Sequence, residues 1–480
     1  MLNPRFDLAA AARTEVLQDG FQPDFAPGTE AQLASVQARP PVLPDAQLRD
    51  MRDLDWSSID NDSSRDLDQI EVADRVPAGI RVRVGIADVD SAVPKGSPID
   101  QHAALQTTTV YTAVKIFPML PEALSTDLTS LNPARDRAAI VIEFVVGADG
   151  QIASSEIYRA VVRNQAQLTY NAVGPWLEGS ADLVAASGIK AQLQLQDEAA
   201  QALRAERHRL GALEFDRVEA EAVVSDGHVT DVRAAHKNRA TDLIEDFMVA
   251  ANAVMARTLQ DAGASAIRRV VKTPERWPRM VELAARYGET LPADPDSGAL
   301  NAFLQKRKAA DPVHYPDLSL SMIKLMGPGE YVLSRPGDEN QGHFGLAAHD
   351  YTHSTAPNRR FADLVTQRLI KAVLAKQPGP YTDSELAQIA THCTQQENAS
   401  RKVERAMGKR VAAVAFQSRV GQSFQAVVTG VTPKGVFVRV MNPPVEGRLM
   451  RGESGLDVGD QVHVTLLHTD PQRGFIDFGR

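Results

Sequence analysis

Ser58-Ile59-Asp60-Asn61-Asp62-Ser63-Ser64-Arg65-Asp66-Leu67-Asp68-Gln69 packs its carboxylates more tightly than folding alone favours. Unless Asp60, Asp62, Asp66 and Asp68 are all solvated, something positive has to compensate them. Hard oxygen ligands at this density suit Mg²⁺, which takes one or two carboxylates and completes its octahedron with waters and phosphate oxygens. Beside a phosphodiester, such an ion polarises the phosphate, orients the attacking water and offsets charge on the leaving oxygen. Two other readings compete. A run of Asp, Asn and Ser is commonly a solvated loop. A calcium loop draws ligands from its first, third, fifth and twelfth positions, here Asp60, Asp62, Ser64 and Glu71. Against calcium, the sixth position needs glycine and holds Arg65, and the sequence after Glu71 reads as strand, not helix.

Working outward, Ile80 to Asp88 largely alternates apolar and polar residues, and Ala139 to Val146 faces Ile152 to Val162 across the turn signal Asp149-Gly150. These strands predict a twisted antiparallel sheet with one buried face. After about Asp182 the period becomes helical, with amphipathic stretches near 190–210, 239–260, 361–376 and 384–415 and a Pro/Gly/Asp-rich break at 288–298. Sheet first and helices after is the pattern of an α+β body, placed at 51–416. Before it, residues 1–50 read as a small helical module, with a helix over Leu8 to Gln18 and a linker ending in Pro40, Pro41 and Pro44. After it, short strands with turn signals at Gly430, Lys434-Gly435, Asn442-Pro443-Pro444, Gly459-Asp460 and Asp470-Pro471 predict a five-stranded barrel of OB type over 417–480.

The 480 residues are 43% hydrophobic, enough for one large domain with smaller modules. Lys+Arg 52 against Asp+Glu 61 leaves a net charge of -9, so the whole-molecule field repels a polyanion. Cys393 is the only cysteine and reads as a half-buried helix residue; intrachain disulfides are excluded and the composition fits a reducing cytosol. No signal peptide or membrane-length apolar run is visible, so the expected location is the cytoplasm.

Asp55 to Asp68 resembles the opening of the RNB catalytic domain of the RNase II/RNase R family, whose pattern is Ile-Asp followed, six residues after that aspartate, by Asp-x-Asp-Asp. Further blocks similar to the family follow in order: Val84-Gly85-Ile86-Ala87-Asp88-Val89, Tyr111, Phe117 to Pro121, Leu124-Ser125, Ser130-Leu131, Leu243 to Met248 with Ala251-Asn252, and His343 to Leu346 leading to Tyr351-Thr352-His353. Thr355-Ala356-Pro357-Asn358-Arg359-Arg360-Phe361-Ala362-Asp363-Leu364 resembles the family's Thr-Ser-Pro-Ile-Arg-Arg-Tyr-x-Asp-Leu. Several ordered blocks across about 50–415 are far more specific than one motif. The chain is identified as a divergent member of the family, with the C-terminal OB barrel its usual companion.

The resemblance implies a 3′-to-5′ exoribonuclease that hydrolyses single-stranded RNA to nucleoside 5′-monophosphates with Mg²⁺, acting as a monomer and not on a membrane. Asp60, Asp66 and Asp68 match the family's catalytic, metal-holding aspartates, and Arg359 the arginine that contacts the scissile phosphate. Among the RNA-binding positions, Arg360 reads as a second phosphate contact and Tyr111 matches a tyrosine that stacks on a base. Glu404 matches a glutamate near the terminal nucleotide. The residues alone leave alternatives: surface arginines at a helix start near Pro357, whose N-terminus would itself favour phosphate, a core tyrosine, and a salt-bridged helix face around Glu404.

One departure bears on the metal. The family's fourth aspartate, directly after Asp68, is Gln69 here, which can ligate Mg²⁺ without adding charge; Asp62 is a candidate substitute. Ala356, Asn358 and Phe361 also depart, and too little chain precedes Asp53 for the cold-shock barrels common in the family, so a helical element, one form being a helix-turn-helix, stands there. Gln69 supports a rival reading, an RNB protein that binds RNA without cutting it; a DNA regulator with an unrelated body is a third.

An acidic protein can bind RNA where its positive charge is concentrated. Arg401, Lys402, Arg405, Lys409 and Arg410 on one helix, Arg268-Arg269 with Lys272, and Lys306-Arg307-Lys308 form three basic runs, although each alone reads equally as a solvated face. From Val420 onward six basic and six acidic side chains cancel. There Phe424, Phe437, Lys434, Arg439, Arg448 and Arg451 suit an OB surface that stacks bases, with both phenylalanines equally placed to be core.

Overall fold

A computed structural model describes residues 6–39, 47–216, 219–225, 228–235, 237–312, 314–339 and 342–480; the linker prolines Pro40, Pro41 and Pro44 lie outside them. Two helices, α1 (Leu8–Gln18) and α2 (Thr29–Gln37), come first. The strands that follow are β1 (Arg49–Asp50), β2 (Ser57–Asp60), β3 (Gln69–Val76), β4 (Gly79–Ala87), the hairpin strands β5 (Val110–Tyr111) and β6 (Ile116–Phe117), then β7 (Asp136–Val146), β8 (Ile152–Arg163) and β9 (Ala166–Thr169), with helix α3 (Pro98–Gln106) between β4 and β5.

Among the described residues seven of these strands form one sheet in the order β1-β8-β7-β4-β3-β2-β9. From β2 through β8 the pairing is antiparallel, as the alternation predicts, but both edges are parallel, β1 on β8 and β9 on β2. Gly79 closes the β3–β4 turn at φ 142, where a Cβ would sit 2.0 Å from the Val146 carbonyl oxygen, so no larger residue fits. Trp56, Ile59, Ile70, Val84, Ile142, Phe144 and Phe247 are buried together in the main core. At about 1.5–3 kcal/mol per buried large side chain, that core fixes the strand register and with it the ends of β2 and β3, where the acidic loop hangs.

Helices α4 (Tyr170–Leu177), α5 (Ser187–Arg209) and α6 (Arg239–Asp261) follow, with the hairpin β10 (Glu219–Ser225) and β11 (His228–Ala235) between α5 and α6. Next comes β12 (Ala266–Val270), paired with β13 (Glu330–Ser334), and between them α7 (Trp277–Arg286), α8 (Ser297–Ala310) and α9 (Tyr315–Met326) gather a second core around Trp277, Phe303 and Tyr315. These three helices are not foreseen by the sequence reading, which names only the Pro/Gly/Asp-rich break at 288–298 in this region. Pro278 and Pro316 sit in the first turns of α7 and α9, where proline's missing N–H costs nothing.

Helix α10 (Phe361–Leu374) precedes α11 (Asp383–Phe416), a 34-residue helix opened by a capping box of Thr382 and Glu385. Val403, Met407 and Val411 of α11 pack against Leu8, Ala12 and Val16 of α1, and the helix ends inside a closed five-stranded barrel. Its strands β14 (Ser423–Thr432), β15 (Gly435–Val440), β16 (Glu446–Arg451), β17 (Gln461–Asp470) and β18 (Phe475–Gly479) close in the order β14-β15-β16-β18-β17. The α+β body and terminal barrel are thus as expected. Gly430 differs: it is no turn but lies where the register slips in β14, as glycine does at a bulge. Among the described residues no helix is long and apolar enough to cross a membrane.

Candidate active site

The acidic segment leaves the end of β2 and returns at the start of β3, held by neighbours that complete its backbone. Leu67 donates its N–H to Ser130 Oγ (3.0 Å), and Leu131 donates to the Leu67 carbonyl (2.9 Å). Asp60 Oδ1 accepts from the Asn61 N–H (2.9 Å) and from Ser64 Oγ (2.7 Å), a local turn of the kind aspartate favours. Asp66 Oδ2 accepts from the Tyr111 hydroxyl (3.1 Å). Burial, reinforced by Asp66, raises the Tyr111 phenol far above its ordinary range, so it stays a donor.

Asp68 has 2% of its surface exposed. Its Oδ1 accepts from the Asn358 N–H (3.0 Å), while Oδ2 has no hydrogen-bond partner and stands 3.6 Å from Arg359 Nε. Burial pushes this carboxyl up to about 7 against the opposing pull of Arg359, and burial likewise raises Asp60. A buried carboxylate oxygen without a hydrogen-bond partner carries a desolvation cost that a positive group offsets, as Arg359 does in part here.

The arginine block is brought here by a short pairing across the fold. Thr109 donates its N–H to the Arg359 carbonyl (3.0 Å), Phe361 donates to the Thr107 carbonyl (2.8 Å), and Thr129 Oγ1 donates to Asn358 Oδ1 (2.6 Å). Asp60, Asp66, Asp68, Gln69, Tyr111 and Arg359 consequently line one cavity of about 460 Å³. Tyr170, Thr241 and Glu245 line it too, from the starts of α4 and α6. Glu245 sits in a quoted block but received no role, and Tyr170 comes from a helix without a local signal. The helix start itself is α10, which begins at Phe361, beyond Pro357, and its first turn is occupied by Asp363, whose Oδ1 accepts from the Ala356 N–H (2.8 Å) and from Arg360 (2.7 Å).

Tyr111 and Arg359 also wall a second cavity of about 220 Å³, with Arg360 and Glu404. Here the charges are completed within the chain. Arg269 makes two bonds to Glu397 (2.6 and 2.8 Å) and lies 4.7 Å over the Tyr331 ring, and the Tyr331 hydroxyl is 2.7 Å from His353 Nδ1. Burial and then Arg360 hold His353 well below its usual range, so it is neutral. Glu404, on the exposed rim, accepts from Ser400 Oγ (3.0 Å). Sequence reasoning passed over Tyr331 and gave His353 no role.

Charge read from sequence needs correction where partners intervene. Arg268 and Arg269 are buried in β12, and Lys272 pairs with Glu330 (2.5 Å), so this run is no surface patch. Lys306 pairs with Glu289, Lys308 with Glu214 (2.8 Å) and Asp216 (3.1 Å), and Arg307 covers the Tyr287 ring. On α11, Arg401 pairs with Glu397, Lys402 with Asp19 and Arg410 with Glu15 (2.9 Å). In the barrel, Arg439 is tied to Asp317 of α9 (2.5 Å), and Phe424 stacks between Phe416 and Phe478.

The donor set fits a hard divalent cation. Among the described residues no group of three or more His, Cys, Asp or Glu side chains is arranged to hold a metal ion. Mg²⁺ does not need one, since it keeps waters and draws on substrate phosphate.

Comparison with known proteins agrees with this architecture. Residues 48–376 match the RNB domain, and residues 422–480 match the RNase II-type exonuclease C-terminal S1 domain. Ribonuclease R 1 of Lactococcus lactis is 29% identical over 482 residues, covering 93% of this chain, which spans 58% of that relative's length. Among solved structures, Mycoplasma genitalium RNase R in complex with ribose methylated single-stranded RNA superposes with a TM-score of 0.88 at 23% identity, over 98% of this chain and 78% of that one. Yeast Ssd1, described as a pseudonuclease, shares the fold at a TM-score of 0.73 and 17% identity, over 97% of this chain and 58% of that one. With the RNB model matched over more than half its length and the S1 barrel behind it, this chain belongs to the RNase II/RNase R family.

Proposed function

We propose that this protein is a 3′-to-5′ exoribonuclease that hydrolyses single-stranded RNA to nucleoside 5′-monophosphates with Mg²⁺. The observation that carries the reading is the approach of Arg359 Nε to Asp68 Oδ2, 3.6 Å apart across the cavity that Asp60 and Asp66 also line. Groups from the two ends of the catalytic body can therefore act on one phosphorus atom. Bound at Asp60, Asp66 and Asp68 with the Gln69 amide, Mg²⁺ would polarise the scissile phosphate and lower the cost of ionising the attacking water.

The chain's own groups do the rest. Arg359 offers a planar fork to two phosphate oxygens and stabilises the charge that develops on them. Tyr111 is pinned through its hydroxyl to Asp66, which leaves its ring to stack on a base and hold the terminal nucleotide in register. Arg360, braced by Asp363, and Glu404 on the rim would receive the backbone in the second cavity. The walls around Asp68 exclude water and so strengthen each of these interactions.

Gln69 favours a second reading, an RNA binder that does not cut. One assay separates the two. Oligo(A), one pool labelled at its 5′ end and one labelled throughout, is incubated with Mg²⁺ and, separately, with EDTA; length is read from the first pool on gels and released mononucleotide from the second by thin-layer chromatography. Metal-dependent shortening from the 3′ end with monophosphate release is expected; binding with no shortening would establish the non-cutting reading instead.

A further inference from the structure

Helix α3 ends where the arginine block is held. Its last residue, Gln106, is followed by Thr107, whose backbone stands at φ 56, in the left-handed region that a β-branched residue rarely adopts. Such a conformation persists only where its surroundings fix it. The residues that follow bond straight to the arginines: the Thr107 carbonyl accepts the Phe361 N–H (2.8 Å), and the Thr109 N–H donates to the Arg359 carbonyl (3.0 Å). A shift of α3 therefore moves the backbone of Arg359, whose Nε stands 3.6 Å from Asp68 Oδ2.

Both ends of α3 are gripped by the N-terminal segment that carries α1 and α2. At the start of α3, Gln32 of α2 accepts the Ile99 N–H on Oε1 (2.9 Å) and donates from Nε2 to Ser97 Oγ (3.0 Å). It thus serves an N–H of the first turn, which a helix leaves without an internal partner. At the other end the Gln22 N–H donates to Gln106 Oε1 (2.7 Å). Gln106 is 0% exposed and its Nε2 has no hydrogen-bond partner among the described residues, so its amide is anchored through Gln22. A half-satisfied buried amide costs stability that methionine would avoid, which fits a residue kept for this contact. Between the two ends, the Phe25 ring lies 4.4 Å from that of His102. From the opposite side α11 adds a bond from His392 Nε2 to the Leu105 carbonyl (3.0 Å).

We infer that the α1–α2 segment positions Arg359 through α3, with Gln32 and Gln106 as positioning residues. The contacts run from Gln22, Phe25 and Gln32 to the two ends and the middle of α3, then across the pairing of residues 107–109 with 359–361, to the cavity that Asp68 lines. Residues 6–39 supply no wall to either cavity, so the segment acts on Arg359 without lining the site. This inference rests on the proposal that Arg359 stabilises the scissile phosphate.

The test is single-turnover shortening of 5′-labelled oligo(A) by the full chain with Mg²⁺, with filter binding and melting followed alongside. Gln32→Leu and Gln106→Met are each expected to slow the cutting step roughly 10-fold while oligo(A) affinity stays within a few-fold of the parent. Gln32→Glu keeps an oxygen for the Ile99 N–H and places a negative charge at a helix start, so it is expected to cut at the parental rate. In an Arg359→Lys background either substitution should cost no more than about twofold further, because an arginine already replaced cannot be misplaced. If the parent cuts and both variants cut at its rate, or if their losses multiply in full with that of Arg359→Lys, this inference falls and the exoribonuclease reading stands. If the parent does not cut, both fall together. If Gln106→Met does not fold, Gln32→Leu and its recovery in Gln32→Glu decide the question.

Discussion

The two cavities that meet at Tyr111 and Arg359 complete their buried charges in opposite ways. On the side of Arg360, opposite charges face each other: Arg269 is matched to Glu397 and Arg360 to Asp363, although Arg360 Nε and Asp363 Oδ2 keep no hydrogen-bond partner among the described residues. On the side of the acidic loop, Asp60, Asp66 and Asp68 outnumber the cation that faces them, Arg359, and Asp68 Oδ2 has no hydrogen-bond partner among the described residues. A charge-matched pair holds a shape, whereas an excess of one sign weighs on the ligand-free fold. The contrast separates residues that build the site from residues that await something in it, and it can be attacked by substitution.

The largest effect is expected at Asp68. Asp68→Asn should lower turnover by roughly 10³-fold or more while RNA affinity stays within a few-fold, because it removes transition-state organisation more than strand contacts. Single-turnover kinetics alongside filter binding would measure both; retained turnover would falsify the assigned role. Arg359→Lys comes next, with a loss in kcat of about 10²-fold as the two-oxygen fork becomes a point charge. A rise in KM alone would make Arg359 a strand contact only.

Stability offers a sharper contrast, because the two sides should respond with opposite sign. Asp363→Asn breaks a matched buried pair and should cost about 3–5 kcal/mol in urea unfolding. Asp68→Asn in EDTA should leave stability unchanged or raised, since it removes a buried charge that is only partly partnered. Equal losses in both variants would erase the distinction drawn between the cavities.

The pH dependence of the metal-free protein follows from the same carboxyl. Burial raises Asp68 from 3.8 to about 7, so between those values the folded chain holds a proton that the unfolded chain releases. Its contribution to stability is therefore complete below about 4 and is lost as pH rises through about 7. In EDTA the gap in Tm between Asp68→Asn and the parent should widen from pH 5 to pH 8 in favour of the variant; a constant gap would count against a buried, protonated Asp68. The smallest effect is expected for Lys402→Ala, whose exposed ammonium pairs with Asp19: the urea midpoint should barely move, and a clear loss would make this pair part of the packing of α1 on α11.

The same contrast explains what could be read from the residues alone. Asp60, Asp66, Asp68 and Arg359 were singled out from residue types at fixed spacing, and the structure brings them to one cavity; the strands β4, β7 and β8 were legible because one buried face imposes alternation. Tyr170 and Tyr331 were not, because their neighbours in the cavities lie on other elements, and Glu71, read only as the twelfth position of a calcium loop, is instead a buried residue of β3. Basic runs misled for the reason seen at Arg269 and Lys308: a sequence displays charges but conceals their partners. The helices α7 to α9 lie around the Pro/Gly/Asp-rich break at 288–298, where the sequence reading marks no amphipathic stretch.

Helix α11 ties these regions mechanically. Its 34 residues make a rod of about 50 Å, which carries Glu397 and Glu404 in the wall of the second cavity and ends with Phe416 in the barrel's core. The barrel cannot swing without either tilting that wall or bending the rod. A displacement of the barrel is thus delivered along the helix to the wall of the second cavity.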